Sequence, residues 1–168
     1  NRGNFDLTNH QNASGKKLEY FDQAANSRYL PEIVETSAGA DRVTLTVMVD
    51  AYREEVVEGE TRTVLGFNPS IAPIKVAVLP LVNKDAMPEM ATALFNDLRP
   101  RFACFYDDGG AIGRRYRRMD EVGTPFCITV DGQSAEDQSV TVRHRDTMGQ
   151  ERVAITQVAA YLAERIVP

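Results

Sequence analysis

Apolar residues follow two regimes along the chain, irregular up to residue 68 and regular from Ile74 onward. Lys75 to Leu81 is a continuous apolar run, the pattern of a strand buried on both faces. Pro88 to Arg101 then places Met90, Leu94, Phe95 and Leu98 at helical spacing, with Asp85 or Met87 near the cap and Pro88 at an early position. Phe102 to Tyr106 and Pro125 to Val130 predict two further strands, and Ile112 to Val122 predicts a helix between them. The polar stretch 131–138 predicts a turn, after which Val140 to Arg145 alternates as a half-exposed strand. Arg152 to Ile155 predicts a short strand, and Thr156 to Ile166 a closing helix carrying Val158, Leu162 and Ile166. Strands alternating with helices predict a three-layer α/β domain with a mostly parallel sheet, and the Asp-rich turn implies that one strand runs antiparallel.

The first part of the chain is less regular. Residues 1–28 are polar around an aromatic cluster of Phe5, Tyr20 and Phe21, which predicts loops and short elements. Arg28 to Thr36 carries Tyr29, Ile33 and Val34 with Pro31, which predicts an edge strand leading into a turn at residues 37–39. Val43 to Val49 has strand alternation and β-branched content, yet Val43, Val47 and Ala51 with Met48 and Tyr52 also fit a helical stripe, so its spacing leaves both open. Residues 53–62 are acidic and turn-like around Gly59 and read as a surface excursion. Asn68-Pro69 and Ala72-Pro73 break the chain twice, which places a domain boundary between residues 1–68 and 69–168.

A hydrophobic content of 43% and a charged content of 26% describe a globular chain, and the net charge of -5 argues against generic coating of nucleic acid. A polyanion partner therefore needs a local patch. One lies between Gly109 and Gly123, where Arg114, Arg115, Arg117 and Arg118 fall within five positions. In a helix, Ile112, Tyr116 and Met119 form one buried stripe, Arg114, Arg117 and Arg118 point away from it, and Arg115 flanks it. Such a face is either solvated or a dock for phosphates. Arg143-His144-Arg145, on alternating faces of a strand, adds a second positive spot. Asp107/Asp108 and Asp120/Glu121 sit at turn or helix ends, where solvated surface or capping fits better than acid/base catalysis, and Asp120 and Glu121 can also pair with Arg117 or Arg118.

Several classes of chemistry find no support. Gly110 and Gly113 lack the Lys-Ser/Thr of a phosphate loop, and no Gly-x-Ser-x-Gly elbow is present. His10 and His144 have no ligand-spaced companions, so no metal site is expected. Cys104 and Cys127 lie in apolar runs and read as buried thiols, which suits a reducing compartment and a cytoplasmic protein. The apolar run Val76 to Val82 is far short of the ~20 residues of a membrane span. The chain begins on Asn-Arg-Gly rather than Met, which suggests a piece of a longer polypeptide.

Three stretches carry a family resemblance: Ala72 to Leu81 (Ala-Pro-Ile-Lys-Val-Ala-Val-Leu-Pro-Leu), Ile112 to Phe126 (Ile-Gly-Arg-Arg-Tyr-Arg-Arg-Met-Asp-Glu-Val-Gly-Thr-Pro-Phe) and Val142 to Met148 (Val-Arg-His-Arg-Asp-Thr-Met). They resemble the C-terminal anticodon-binding domain of the glycyl-tRNA synthetases of the bacterial or archaeal dimeric type. Upstream, Asn1 to Leu7 (Asn-Arg-Gly-Asn-Phe-Asp-Leu) and Glu35 to Arg42 (Glu-Thr-Ser-Ala-Gly-Ala-Asp-Arg) resemble the end of the class II catalytic domain, including its motif 3. The resemblance implies a five-stranded mixed sheet with three helices that receives the anticodon stem-loop of glycine tRNA, with Arg114, Arg117, Arg118, Arg143 and Arg145 as RNA contacts. It implies Arg42 as the motif 3 arginine against ATP, Glu35 and Ser37 as contacts to glycine, and Val43 to Tyr52 as a helix. It also implies a homodimeric full enzyme that uses ATP and Mg2+. Thr36 stands where the family usually has proline, Asn4 and His144 where it usually has aspartate, and Asp131-Gly132-Gln133 where it usually has Asp-Phe-Asp.

Motifs 1 and 2 have no counterpart here, so the chain reads as the C-terminal part of the enzyme. The 168-residue chain alone is expected to show no glycine-dependent pyrophosphate exchange, and turnover in that assay would contradict the reading. A non-catalytic nucleic-acid-binding accessory protein is the alternative, against which the retention of Glu35, Ser37 and Arg42 argues. A small-ligand α/β module is a third, and it predicts no RNA affinity.

Overall fold

In the computed structural model, which describes residues 1–166, the chain opens with helix α1 (Phe5–Ser14). It buries no residue, and it ends where Gly15 turns left-handed at φ 67° and donates its N–H to Gln11 O at 2.9 Å. Strands β1 (Tyr20–Asp22) and β2 (Ser27–Tyr29) form a small antiparallel pair with the Tyr20 and Tyr29 rings edge-on at 5.8 Å. The expected strand over Arg28 to Thr36 is thus confined to its start, because Pro31 removes a donor two residues beyond. Helix α2 (Ala40–Ala51) follows. The helical stripe prevails over the strand pattern because the i, i+4 pair Val47 and Ala51 packs with Leu65, Phe67 and Ala72.

The fold divides into two compact units, Asn1–Val43 and a second beginning at Thr44. The sequence boundary at 68/69 falls inside the second unit. The reason lies in the segment expected to be a surface excursion: residues 52–65 form a regular hairpin of β3 (Tyr52–Val57) and β4 (Glu60–Leu65). Glu58 and Gly59 both take positive φ, 53° and 83°, the two-residue turn whose twist suits a hairpin. Alternation along β4 turns Arg62 and Val64 inward.

A five-stranded sheet follows, in the order β6-β5-β7-β8-β9. Its strands are β5 (Val76–Pro80), β6 (Cys104–Tyr106), β7 (Phe126–Val130), β8 (Ser139–His144) and β9 (Gln150–Ala154). β5 pairs parallel with β6 and β7, whereas β8 is antiparallel to both β7 and β9. One strand alone therefore runs against the others, as expected. Helices α3 (Met87–Leu98), α4 (Ile112–Glu121) and α6 (Val158–Ile166) cover the faces. The period of two along β5 sends Val76 and Val78 to the core that holds Leu94, Leu98 and Leu162, and Ala77 and Leu79 to a second core beneath Met119 of α4. At about 1.5–3 kcal/mol per buried Val or Leu, the first and larger core supplies most of the apolar stabilisation.

Residues 131–138 differ from the expected turn. Gly132–Asp137 form a one-and-a-half-turn helix, α5, started by a reciprocal cap in which Ser134 N donates to Asp131 Oδ1 at 3.0 Å and Asp131 N to Ser134 Oγ at 3.1 Å. Arg152 of β9 ties this helix to the sheet through Asp131 at 2.6 Å and Asp137 at 3.0 Å.

Candidate nucleic-acid interface

Helix α4 sorts its side chains by period. Ile112, Tyr116 and Met119 pack on Ala77, Leu79 and Cys127, and the Tyr116 hydroxyl bonds Thr129 Oγ1 at 2.5 Å. Arg115, which flanks this stripe, is buried. Its Nη1 donates to Pro80 O at 2.5 Å and to Asp107 O at 3.2 Å, and its Nη2 to Leu81 O at 3.0 Å. Pro80 and Leu81 lie at the end of β5 and Asp107 just after β6, so Arg115 clamps the ends of these two neighbouring strands.

Arg114 lies one turn before Arg117 and Arg118, on the side of the helix away from the Ile112, Tyr116 and Met119 stripe. Arg118, 45% exposed, is engaged: Nη2 reaches Asp107 Oδ2 at 2.5 Å and Gly109 O at 2.7 Å. Burial raises the Asp107 pKa, but the Arg118 hydrogen bond and the Gly109 N–H outweigh it and hold the carboxyl below its usual range. Arg114 is exposed and makes no hydrogen bond or ion pair to the described residues, and Arg117 is half-buried with a buried Nη1 that has no partner. Of the patch, Arg114 is thus exposed and without a partner among the described residues, whereas Arg117 keeps part of its guanidinium buried.

Arg143 and Arg145 do not join that surface. Both are buried, on the face of β8 that α4 and the hairpin cover. Arg143 forks onto Asp120 with Nη1–Oδ1 2.9 Å and Nη2–Oδ2 3.1 Å, and its guanidinium lies 4.8 Å from the Tyr116 ring centre. Arg145 donates to Gly123 O at 2.8 Å and Phe67 O at 2.7 Å and pairs with Asp146 at 2.9 Å. Asp120 does not pair with Arg117 or Arg118, because helical period places it beside Tyr116 on the inner side. Its second partner is Arg62, with Nε–Oδ2 2.8 Å and both residues 0% exposed. Arg62 also reaches Glu55 at 2.7 Å and donates to Arg145 O. Burial acts to lower the Arg62 pKa, but Asp120 and then Glu55 raise it on balance, so the guanidinium stays charged. Sequence reasoning missed Arg62, although its place two residues before Val64 on one strand face signals it.

The remaining sequence-predicted groups are placed as follows. His144 sits on the opposite face of β8 from Arg143, with Nε2 2.6 Å from the Tyr161 hydroxyl and 3.1 Å from Glu151, so it forms no pair with Arg143 or Arg145. The Tyr161 phenol also donates to Glu151, and burial followed by that bond pushes its pKa up to about 12. Burial pushes the Cys104 thiol up to about 11 and Cys127 up to about 12, which leaves both as inert thiols. In the first unit Glu35, Ser37 and Arg42 are exposed, the first two on the irregular segment before α2 and Arg42 on its first turn. Glu35 lies 3.4 Å from Arg2 Nε. Among the described residues no group of three or more His, Cys, Asp or Glu side chains is disposed to hold a metal ion, and no helix is long and apolar enough to cross a membrane.

The family described as "Anticodon binding domain" matches residues 75–165, the stretch from β5 into α6 that carries the sheet and the α4 arginines. The chain belongs to this family. The anticodon-binding domain also brings relatives that extend over nearly the whole chain. Glycine–tRNA ligase of Chlorobaculum tepidum is 51% identical over 165 residues, 98% of this chain and 35% of that protein. Glycine–tRNA ligase of Thermobifida fusca is 49% identical over 171 residues, 99% of this chain and 37% of that protein. The chain thus spans about a third of the length of these curated relatives. The RNA binding domain of threonyl-tRNA synthetase from Cryptosporidium parvum Iowa II shares the fold, with a TM-score of 0.55 and 22% identity over 61% of this chain and 26% of that one.

Proposed function

We propose that this chain is the C-terminal part of a glycine–tRNA ligase whose anticodon-binding domain docks the anticodon stem-loop of glycine tRNA on the outer face of α4. The observation that carries the RNA reading is the pairing pattern of that helix. Of its four arginines one is spent on the sheet and one on Asp107, while Arg114 and Arg117 have no carboxylate partner among the described residues of a chain of net charge -5. An uncompensated, exposed guanidinium such as that of Arg114 suits a bidentate contact to phosphate, and Arg117 can add the part of its guanidinium other than the buried Nη1.

The full enzyme joins glycine to its tRNA with ATP, as a cytoplasmic homodimer. The Glu35 carboxylate accepts N–H bonds from the glycine ammonium, the Ser37 hydroxyl orients the substrate, and the Arg42 guanidinium lies against the adenine and phosphates of ATP. Charge stabilisation by such groups lowers the barrier to adenylate formation. The described residues offer no cluster for Mg2+, so no ligand of that ion is assigned to this chain.

Affinity for a glycine tRNA transcript, measured against salt concentration, tests the interface. Arg114→Ala with Arg117→Ala is expected to flatten the slope of log K against log salt by roughly 0.7 to 0.9 per lost phosphate contact. Arg118→Ala, already paired with Asp107, is expected to do less. An unchanged slope in the double variant would return these arginines to solvent. A transcript with an altered anticodon should bind more weakly; equal binding would instead favour the accessory-protein reading.

A further inference from the structure

The segment Asn1 to Leu7 is clipped to the segment that carries Glu35. Arg2 N donates to Ile33 O at 2.9 Å, Ile33 N to Gly3 O at 2.9 Å, and the Asn1 side-chain amide to Glu32 Oε2 at 2.9 Å. Gly3 takes the left-handed conformation at φ 58°, which lets the chain turn from this bridge into α1. The bridge brings the Arg2 side chain between two carboxylates. Asp6 grips it in a fork, with Nε–Oδ2 2.6 Å and Nη2–Oδ1 3.0 Å, and Nε also lies 3.4 Å from Glu35 Oε2.

We propose that Arg2 is the positioning residue that holds Glu35 in place for a small ammonium substrate, an inference that rests on Glu35 being the carboxylate that receives glycine. The charge count supports it. Two carboxylates share one guanidinium, so the group keeps one net negative charge for an incoming cation. The geometry divides the labour: Asp6 takes the planar fork and fixes the guanidinium, and Glu35 has only the longer contact. Glu35 is thereby oriented but not saturated, and its side chain is 59% exposed, with oxygen lone pairs open to N–H donors. The Arg2 hydrogen bond holds the Asp6 carboxyl below its usual range, which keeps the fork ionised at neutral pH. An Arg2 bound tightly to Glu35 alone would instead compete with the substrate.

The test is glycine-dependent pyrophosphate exchange in the full-length polypeptide that carries this chain, with KM measured separately for glycine and ATP. Arg2→Ala is expected to raise the glycine KM about tenfold through misplacement of Glu35, with the ATP KM within about twofold. Arg2→Lys, which keeps the charge but loses the fork, should recover part of the loss. Asp6→Asn should shift the glycine KM in the same direction as Arg2→Ala. An unchanged glycine KM in Arg2→Ala, or equal rises for glycine and ATP as a loosened fold would give, overturns the proposal. Glu35→Gln separates the two levels. If it leaves the glycine KM unchanged, the assignment of Glu35 itself fails; if it raises the KM while Arg2→Ala does not, only the role of Arg2 fails.

Discussion

Asp120→Ala is expected to destabilise the second compact unit by about 3–5 kcal/mol, the range for breaking a buried ion pair from one side. Asp120 is fully buried and is the one carboxylate that both Arg62 and Arg143 engage. Its removal strands two guanidiniums away from water. Arg62 keeps Glu55 and the Arg145 carbonyl, whereas Arg143 is left against the Tyr116 ring. Against a total stability of about 5–15 kcal/mol, such a loss takes a large share. Urea melts should show it as a fall in midpoint, with Asp120→Asn losing less because an amide oxygen still accepts one N–H. A change below about 1 kcal/mol in Asp120→Ala would mean that the arginines find water or new partners, contrary to their burial. Replacing Arg62, Asp120 and Arg143 together by apolar residues of similar volume should cost less than the single change, because no charge is then left unpaired.

The same network explains where the sequence misleads. A helix period along Ile112 to Val122 sufficed to send Arg114, Arg117 and Arg118 outward and Met119 inward. The continuous apolar runs at β5 and β7 likewise announced strands buried on both faces. Arg143 and Arg145 are buried instead of RNA-facing because alternation in β8 says which residues share a face, not whether that face is covered. Its cover is α4 and the β3–β4 hairpin, and the hairpin itself resembles a surface excursion because its residues are mostly Glu, Arg and Thr. Pairings such as Arg62 with Asp120, 58 positions apart, have no local sequence signal. In the first unit the motif resemblance, not periodicity, pointed to Glu35, Ser37 and Arg42. The clip between residues 1–3 and 33 becomes visible only once the backbone is folded.

Gly123→Ala is expected to cost on the order of 2–4 kcal/mol, from two independent sources. Gly123 ends α4 at φ 80°, a conformation that costs an L-residue about 1 kcal/mol or more. A Cβ there would also meet Phe67 Cδ2 at 2.5 Å and Leu65 O at 2.8 Å, so something must move. Neither neighbour yields easily. The Phe67 ring is buried with Ala51 and Ala72, and its carbonyl is held by Arg145, which also holds the Gly123 carbonyl. The Leu65 oxygen is backbone of β4, the strand that Arg62 anchors to Asp120. The measurement is a denaturation midpoint for Gly123→Ala alone and with Phe67→Leu. The smaller side chain should relieve the ring contact but neither the Leu65 carbonyl nor the left-handed strain, so rescue should be partial. Full rescue would assign the whole cost to the ring, and a neutral Gly123→Ala would show that the α4 end shifts freely. RNA affinity supplies the contrasting arm, since Arg114 and Arg117 lie on the outer face, away from this contact. The salt slope of tRNA binding should therefore stay unchanged in Gly123→Ala while the fold weakens, and flatten in the Arg114/Arg117 variant while the fold keeps its strength.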